Sequence, residues 1–325
     1  MRRFTAVSAA LLLLALVAAP AAAVTKGGTP DAGEHPMVGQ LLFFVPDAPT
    51  SLYPDPGGWF SCSGTLVSAT VVVTAGHCAF AVGLDGASTT TEENRFTAEG
   101  GNGSGGNDVW FTINEGELLP DGTVDHWEDF PATFDADGNL NFPTQQARYE
   151  ARRDWANGNS FWTGATSFPH PLYDDLAFYI HDAGVIVLDE GLSGTFDYAT
   201  IAGADYLQKY AGARNEHRFE VVGYGLNKVL PFADVGGDIR MKAEPKLNNL
   251  VSNPMDTYII LSNNVHTGGT CFGDSGGPTF DTTDAFLLVA VTSFGFSPNC
   301  TGVGGAYRLD QPDDLAFLAG FGITP

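Results

Sequence analysis

The most constraining stretch of this sequence is Thr270-Cys271-Phe272-Gly273-Asp274-Ser275-Gly276-Gly277-Pro278. One serine stands between an aspartate and two glycines, with a cysteine shortly before it. Glycines permit positive φ and close backbone approach, so the pattern suits a tight loop that pushes one hydroxyl outward. Two backbone N–H groups converging beside that hydroxyl would make an oxyanion hole. The Gly-Asp-Ser-Gly core alone suits an ordinary turn equally well. A second stretch, Val71-Val72-Val73-Thr74-Ala75-Gly76-His77-Cys78, decides between the two. It reads as a strand ending in a histidine, and a strand end is a rigid platform for proton transfer.

Together the two stretches resemble the chymotrypsin/trypsin-like serine protease family, in a secreted, bacterial-type form. The resemblance implies an all-β fold: two six-stranded antiparallel Greek-key barrels packed together, with a short C-terminal helix. It implies His77, Asp182 and Ser275 as the catalytic residues, and the N–H groups of Gly273 and Ser275 as the oxyanion hole. Two aspartates compete for the third catalytic place. Asp182 precedes the apolar run Ala183-Gly184-Val185-Ile186-Val187-Leu188, and Asp175 precedes Leu176-Ala177-Phe178-Tyr179-Ile180. Asp182 is preferred, because Leu188-Asp189-Glu190 then leaves the strand where a linker between lobes should begin. His77 and Asp182 stand farther apart than is usual in the family, so extra residues are expected in the first lobe, at about 83–168. Triad partners need meet only in space.

The resemblance also places a specificity pocket. Ser293, Phe294 and Gly295 match one wall, Gly305 the opposite wall, and Gly269 with Thr270 the base; Phe272 adds apolar surface at the mouth. Where trypsin-like members carry an aspartate for basic substrates, this chain has Gly269. The expected activity is therefore endopeptidase cleavage without preference for Lys or Arg, favouring a large apolar or aromatic residue before the scissile bond. A catalytically silent binding protein of the same fold is the alternative, since fold does not fix function. Silent members usually lack a triad residue, and here all three positions are filled. An α/β-hydrolase would also use Gly273-Asp274-Ser275-Gly276-Gly277, but it needs a histidine after the serine, and none follows Ser275.

Residues 1–23 read as a secretory signal peptide: Arg2 and Arg3, an apolar run from Ala9 to Ala19, and Ala21-Ala22-Ala23 for cleavage. The expectation is a secreted, extracellular protein with no membrane association once the signal is removed. The remainder divides into a first lobe over 24–190 and a second lobe with the helix over 191–325. In the family, a freed apolar N-terminus pairs with the aspartate before the nucleophile. Val24 matches that place and Asp274 its partner. Loss of Arg2 and Arg3 takes the formal charge from −23 to −25. Such acidity argues against nucleic acid or anionic lipid as a partner. Protein or peptide substrates are expected, acting on a monomer.

Four cysteines in an exported chain allow three pairings, and the spacings favour Cys62–Cys78 and Cys271–Cys300. No C-x-x-C spacing suggests zinc, and the histidines other than His77 lack metal spacing, so no metal or cofactor is expected. Asp135-Ala136-Asp137-Gly138-Asn139 reads as a hairpin turn rather than a calcium loop. Gln145 to Trp155 reads as a helix, 97–107 as a mobile loop, and Arg240 to Leu247 as a single strand. Asp313 to Phe321 reads as the closing helix, with acids in its first turn.

Overall fold

The run Val38-Gly39-Gln40-Leu41-Leu42-Phe43-Phe44-Val45 lacks polar alternation, although antiparallel strands commonly keep one wet face. The computed structural model describes residues 27–46, 48–83, 105–177, 179–194, 196–230, 233–250, 258–284 and 286–325, and there this run is a strand covered on both faces. Leu41 pairs with Phe111 toward the interior, while Leu42 pairs with Trp110 on the outside. The strand belongs to a closed barrel ordered Val38–Val45, Gly58–Leu66, Val71–Thr74, Gly184–Leu188, Thr163–Pro169 and Val109–Thr112. Val109–Thr112 and all but the last residue of Thr163–Pro169 lie within the expected insertion of 83–168. Only 113–162 therefore leaves the barrel frame among the described residues, and the expected mobile loop lies outside them as far as residue 104.

Residues 113–162 cover the barrel's outer face. Helix Gln145–Gly158 starts at Thr144, whose Oγ1 accepts the Ala147 N–H at 3.1 Å. Leu42, Trp110, Ala156 and Trp162 are buried together, and Trp127 stacks on Trp155 with centroids 5.7 Å apart. Such aromatic pairs contribute about 0.5–1.5 kcal/mol each beyond area burial. The turn at Asp137-Gly138 forms, with Phe134 bridging Leu140, and the Asp135 carboxylate accepts the backbone N–H groups of Asp137 and Asn139.

The second lobe is built on a curled antiparallel sheet. Its sheet runs Thr29–Pro30, Met241–Ala243, Phe219–Gly223, Pro278–Asp281, Leu287–Gly295, Gly302–Arg308, Tyr258–Asn263 and Leu247–Leu250, and Thr200–Ile201 pairs in parallel alongside. Met241–Ala243 bonds to Phe219–Gly223, and Leu247–Leu250 to Tyr258–Asn263. Between them Pro245 O accepts the Phe219 N–H and Lys246 O the Ser262 N–H, so the sheet curls round as expected of the second barrel. Pro245 has no N–H to donate and stands between Met241–Ala243 and Leu247–Leu250. It splits the single strand expected over Arg240 to Leu247.

The lobes exchange their ends. Thr29–Pro30 pairs in the second lobe's sheet, while helix Pro312–Ala319 leads into Phe321, which packs on Phe168 of the first lobe at 5.3 Å. One buried cluster runs from Leu41 and Val73 to Val291 and Tyr307, so the core is continuous between lobes. Disulfides join Cys62 to Cys78 and Cys271 to Cys300. Each closed loop contributes roughly 3–4 kcal/mol in the chain-entropy account. Among the described residues no helix is long and apolar enough to cross a membrane.

Candidate active site

Thr74, at the end of Val71–Thr74, pairs with Gly184. That register carries His77, just beyond the first strand, to Asp182, just ahead of the second. The His77 backbone N–H donates to Asp182 Oδ1 at 2.8 Å, and His77 Nδ1 lies 3.1 and 3.0 Å from Oδ1 and Oδ2. Ser293 Oγ donates to Oδ2 at 2.5 Å. Asp182 is fully buried, whereas Asp175 is exposed on a 3-10 turn. A carboxylate can only accept here, so Nδ1 carries the proton and Nε2 is left basic. Burial works against a charged imidazolium at His77, but the Asp182 charge and hydrogen bonds outweigh it and raise the pKa above its ordinary value.

The Ser275 loop comes from the other lobe and is stitched across. Ser63 N–H donates to Ser275 O at 2.7 Å, and Ser63 Oγ donates to Gly273 O at 2.9 Å. Gly276 has φ +75°, and a Cβ there would collide with Thr74 Oγ1 and Ser63 O. The loop can lie against the first lobe only with glycine at that point. Asp274 is buried beneath the loop; its Oδ1 accepts the Gly225 N–H and its Oδ2 the Cys271 N–H, both at 2.8 Å. Burial pushes its pKa up to about 7, and among the described residues no cation pairs with it. Val24, its expected partner, lies outside the described residues. Gly27 packs against Gly268, close ahead of the loop.

His77 and Ser275 line one cavity of about 600 Å³. Thr270, Phe272, Ser293, Phe294 and Gly295, all expected at the pocket, line it too. Gly269 and Gly305 do not. They border a separate space of about 10 Å³. The reason is local: Asn263 fills the room beside Gly269, and the Phe294 ring lies on Gly305, its partner in register. Sequence reasoning missed Asn263, whose Nδ2 donates to Thr270 O at 2.7 Å; its signal was a polar residue ending an apolar strand. It also missed that Ser293 serves Asp182, and that Ser63 clamps the loop.

Among the described residues two groups of side chains approach metal-ligand geometry, but neither is a ready ligand set. Cys62 and Cys78 beside His77 are bonded to each other. In the trio His170, His181 and Asp313, His170 Nδ1 accepts the Leu172 N–H, so its Nε2 carries a proton.

A family model for trypsin matches residues 146–310, just over half of the chain. The chain belongs to the trypsin family. The matched residues hold Asp182 and Ser275, while His77 lies ahead of them. No curated protein matches this trypsin-family sequence. Among solved structures, HL collagenase is similar at a TM-score of 0.53 and 14% identity, covering 93% of this chain and 100% of that one. The scabies mite inactivated protease paralogue S-D1 is similar at 0.51 and 13%, with the same coverage. At such identities the likeness shows the fold.

Proposed function

We propose that this trypsin-family chain is a secreted serine endopeptidase. The observation that carries the reading is a histidine bound to a buried carboxylate through Nδ1, sharing a cavity with Ser275. Ser275 Oγ attacks the peptide carbonyl, and His77 Nε2 takes its proton and passes it to the leaving amine. Asp182 holds the ring in the Nδ1–H tautomer and stabilises the imidazolium. The N–H groups of Gly273 and Ser275 stabilise the oxyanion, one such donor being worth about 3–4 kcal/mol. Water then releases the acyl-enzyme.

Apart from His77, no titratable side chain lines the cavity among the described residues, and the Phe272 and Phe294 rings do. This supports a large apolar or aromatic residue before the scissile bond and speaks against Lys or Arg. Val24 is the partner for Asp274 once residues 1–23 are removed; from Gly27 its three-residue reach is about 10 Å. The basic and apolar start of the chain and the two disulfides support export.

The test is labelling with a fluorophosphonate, together with peptide hydrolysis. The protein with Val24 at its N-terminus should label and cleave, and Ser275→Ala should do neither, losing about 10⁶-fold in kcat. An unlabelled, inactive protein would mean instead a silent binding protein; loss of protease activity in this fold has a precedent in the inactivated scabies mite paralogue.

A further inference from the structure

A second hollow, of about 330 Å³, shares no lining residue with the large cavity. Its volume lies within the roughly 300–1,000 Å³ of ligand pockets. Strand Gly58–Leu66 carries Trp59 and Phe60 into its wall, and the same strand's Ser63 donates to Ser275 O. The Cys62–Cys78 disulfide ties that strand to the His77 turn. A peptide whose acyl side chain fills the large cavity sends its leaving half toward His77, and so toward this strand.

Trp127 and Phe130, from the 113–162 segment, complete the aromatic walls. The Phe60 ring is 47% exposed, a large apolar surface left at the rim. Two charged side chains border the same space. Arg152 lies with its guanidinium 4.5 Å over Phe130, fixed by Pro131 O at 3.0 Å and Thr133 Oγ1 at 2.9 Å. Burial lowers its pKa only to about 10, so it stays charged at neutral pH, and among the described residues no carboxylate pairs with it. Asp238 comes from the second lobe with φ +68°, and its Oδ1 accepts from Gln40 Nε2 at 2.7 Å.

The pairing of these charges selects the occupant. A basic side chain would meet Arg152, an acidic one would meet Asp238, and a purely apolar one would desolvate both without replacement bonds. A neutral ring with one donor satisfies everything: it stacks on the walls, offers its face to the guanidinium and gives its O–H or N–H to the carboxylate. We propose that this hollow binds the side chain of a tyrosine or tryptophan on the leaving-group side of the scissile bond. This specificity rests on the serine-protease reading above.

Internally quenched peptides identical before the scissile bond, and carrying Tyr, Trp, Ala, Lys or Glu at the first or second place after it, test the pocket. At one of those places Tyr and Trp should exceed Ala about tenfold in kcat/KM, the equivalent of 1.4 kcal/mol. Phe60→Ala and Arg152→Gln should each bring Tyr level with Ala. The ratio is read within one protein, so a variant that folds poorly loses both substrates together. Equal cleavage of Tyr and Ala peptides by the unsubstituted protein, or a preference surviving both variants, overturns the proposal. If no peptide is cleaved at all, the protease reading has failed, and calorimetry with N-acetyltyrosinamide examines the hollow alone. Binding that Phe60→Ala weakens supports the pocket; no binding, or binding indifferent to Phe60, overturns it.

Discussion

Both lobes bury an aspartate next to the site, and they neutralise it in different ways. On the first lobe, Asp182 receives the His77 backbone N–H, the His77 ring and the Ser293 hydroxyl. On the second, Asp274 receives two backbone N–H groups and no cation from the described residues, and its pKa rises to about 7. The histidine half of the site therefore has its carboxylate partnered by His77 of its own barrel and Ser293 of the second lobe. The serine half holds a carboxylate whose charge must be met from elsewhere, which is why the proposed Val24 ammonium matters for this loop.

The strongest way to break this contrast is Asp182→Asn. The amide cannot hold the Nδ1–H tautomer, and kcat should fall by about 10⁴-fold. Because the Asp182 charge is what raises the His77 pKa, the acidic limb of the pH–rate profile should move to lower pH. A limb that stays in place would mean another group sets that pKa.

Asp274→Asn should change sign with processing. In the chain with a free Val24 it removes one partner of a buried ion pair, costing about 3–5 kcal/mol. In a chain still carrying residues 1–23 there is no ammonium to lose. The folded pKa of about 7 then stands above the ordinary carboxylate value, so the folded state holds more protons. Its stability falls as pH rises from about 4 to 7. Asn, which never ionises, should stabilise that form at pH 8 and leave it nearly unchanged at pH 4. Denaturant melts of both forms at both pH values decide it; destabilisation of the unprocessed form at pH 8 would sink the pairing.

A different group ties the N-terminal segment to the second lobe. His35 Nδ1 lies 2.5 Å from Asp31 and its Nε2 2.6 Å from Glu220. Burial opposes its charge, yet the two carboxylates raise its pKa to about 9. A raised histidine stabilises fully below its unfolded value of about 6.5, and that contribution is lost as pH climbs through 9. Melts between pH 6 and 9.5 should lose on the order of 2 kcal/mol from this group, and His35→Gln should flatten that slope.

How much of this was legible beforehand follows from which contacts are local. The Ser275 loop and His77 carry short-range signatures, because tight turns need glycine in fixed places and the strand Val71–Thr74 announces itself by β-branched residues. Asp182 and Asp175 both precede apolar runs, and only the strand pairing of Thr74 with Gly184 separates a buried residue from an exposed one. Nothing local marks Trp127, Phe130 and Trp155 as one cluster, since they meet through tertiary packing. One trace was present: Leu41-Leu42-Phe43-Phe44 is apolar at every position, as a barrel strand covered outside as well as inside must be. The break in the strand over Arg240 to Leu247 turned on Pro245, and the narrowed pocket on Asn263 and the Phe294 ring, each a matter of local geometry that composition does not announce.

The smallest expected effect tests the bond that ties the histidine half to the second lobe. Ser293 belongs to the second lobe's strand Leu287–Gly295, yet its hydroxyl donates to Asp182, whose other partner is His77 of the first lobe. Ser293→Ala removes a hydrogen bond to a charged group, worth about 1.5–3 kcal/mol, so kcat should fall roughly tenfold. The pH profile separates positioning from a general loss of structure. With one donor gone, more of the carboxylate's charge falls on the imidazolium, so the His77 pKa should rise and the acidic limb should move to higher pH. That direction is opposite to Asp182→Asn. Ser293→Thr, which keeps the hydroxyl, should restore the original limb. If Ser293→Ala lowers the rate without moving the limb, the hydroxyl merely packs beneath the cavity, and the two lobes meet at the site only through Ser63 and the loop it clamps.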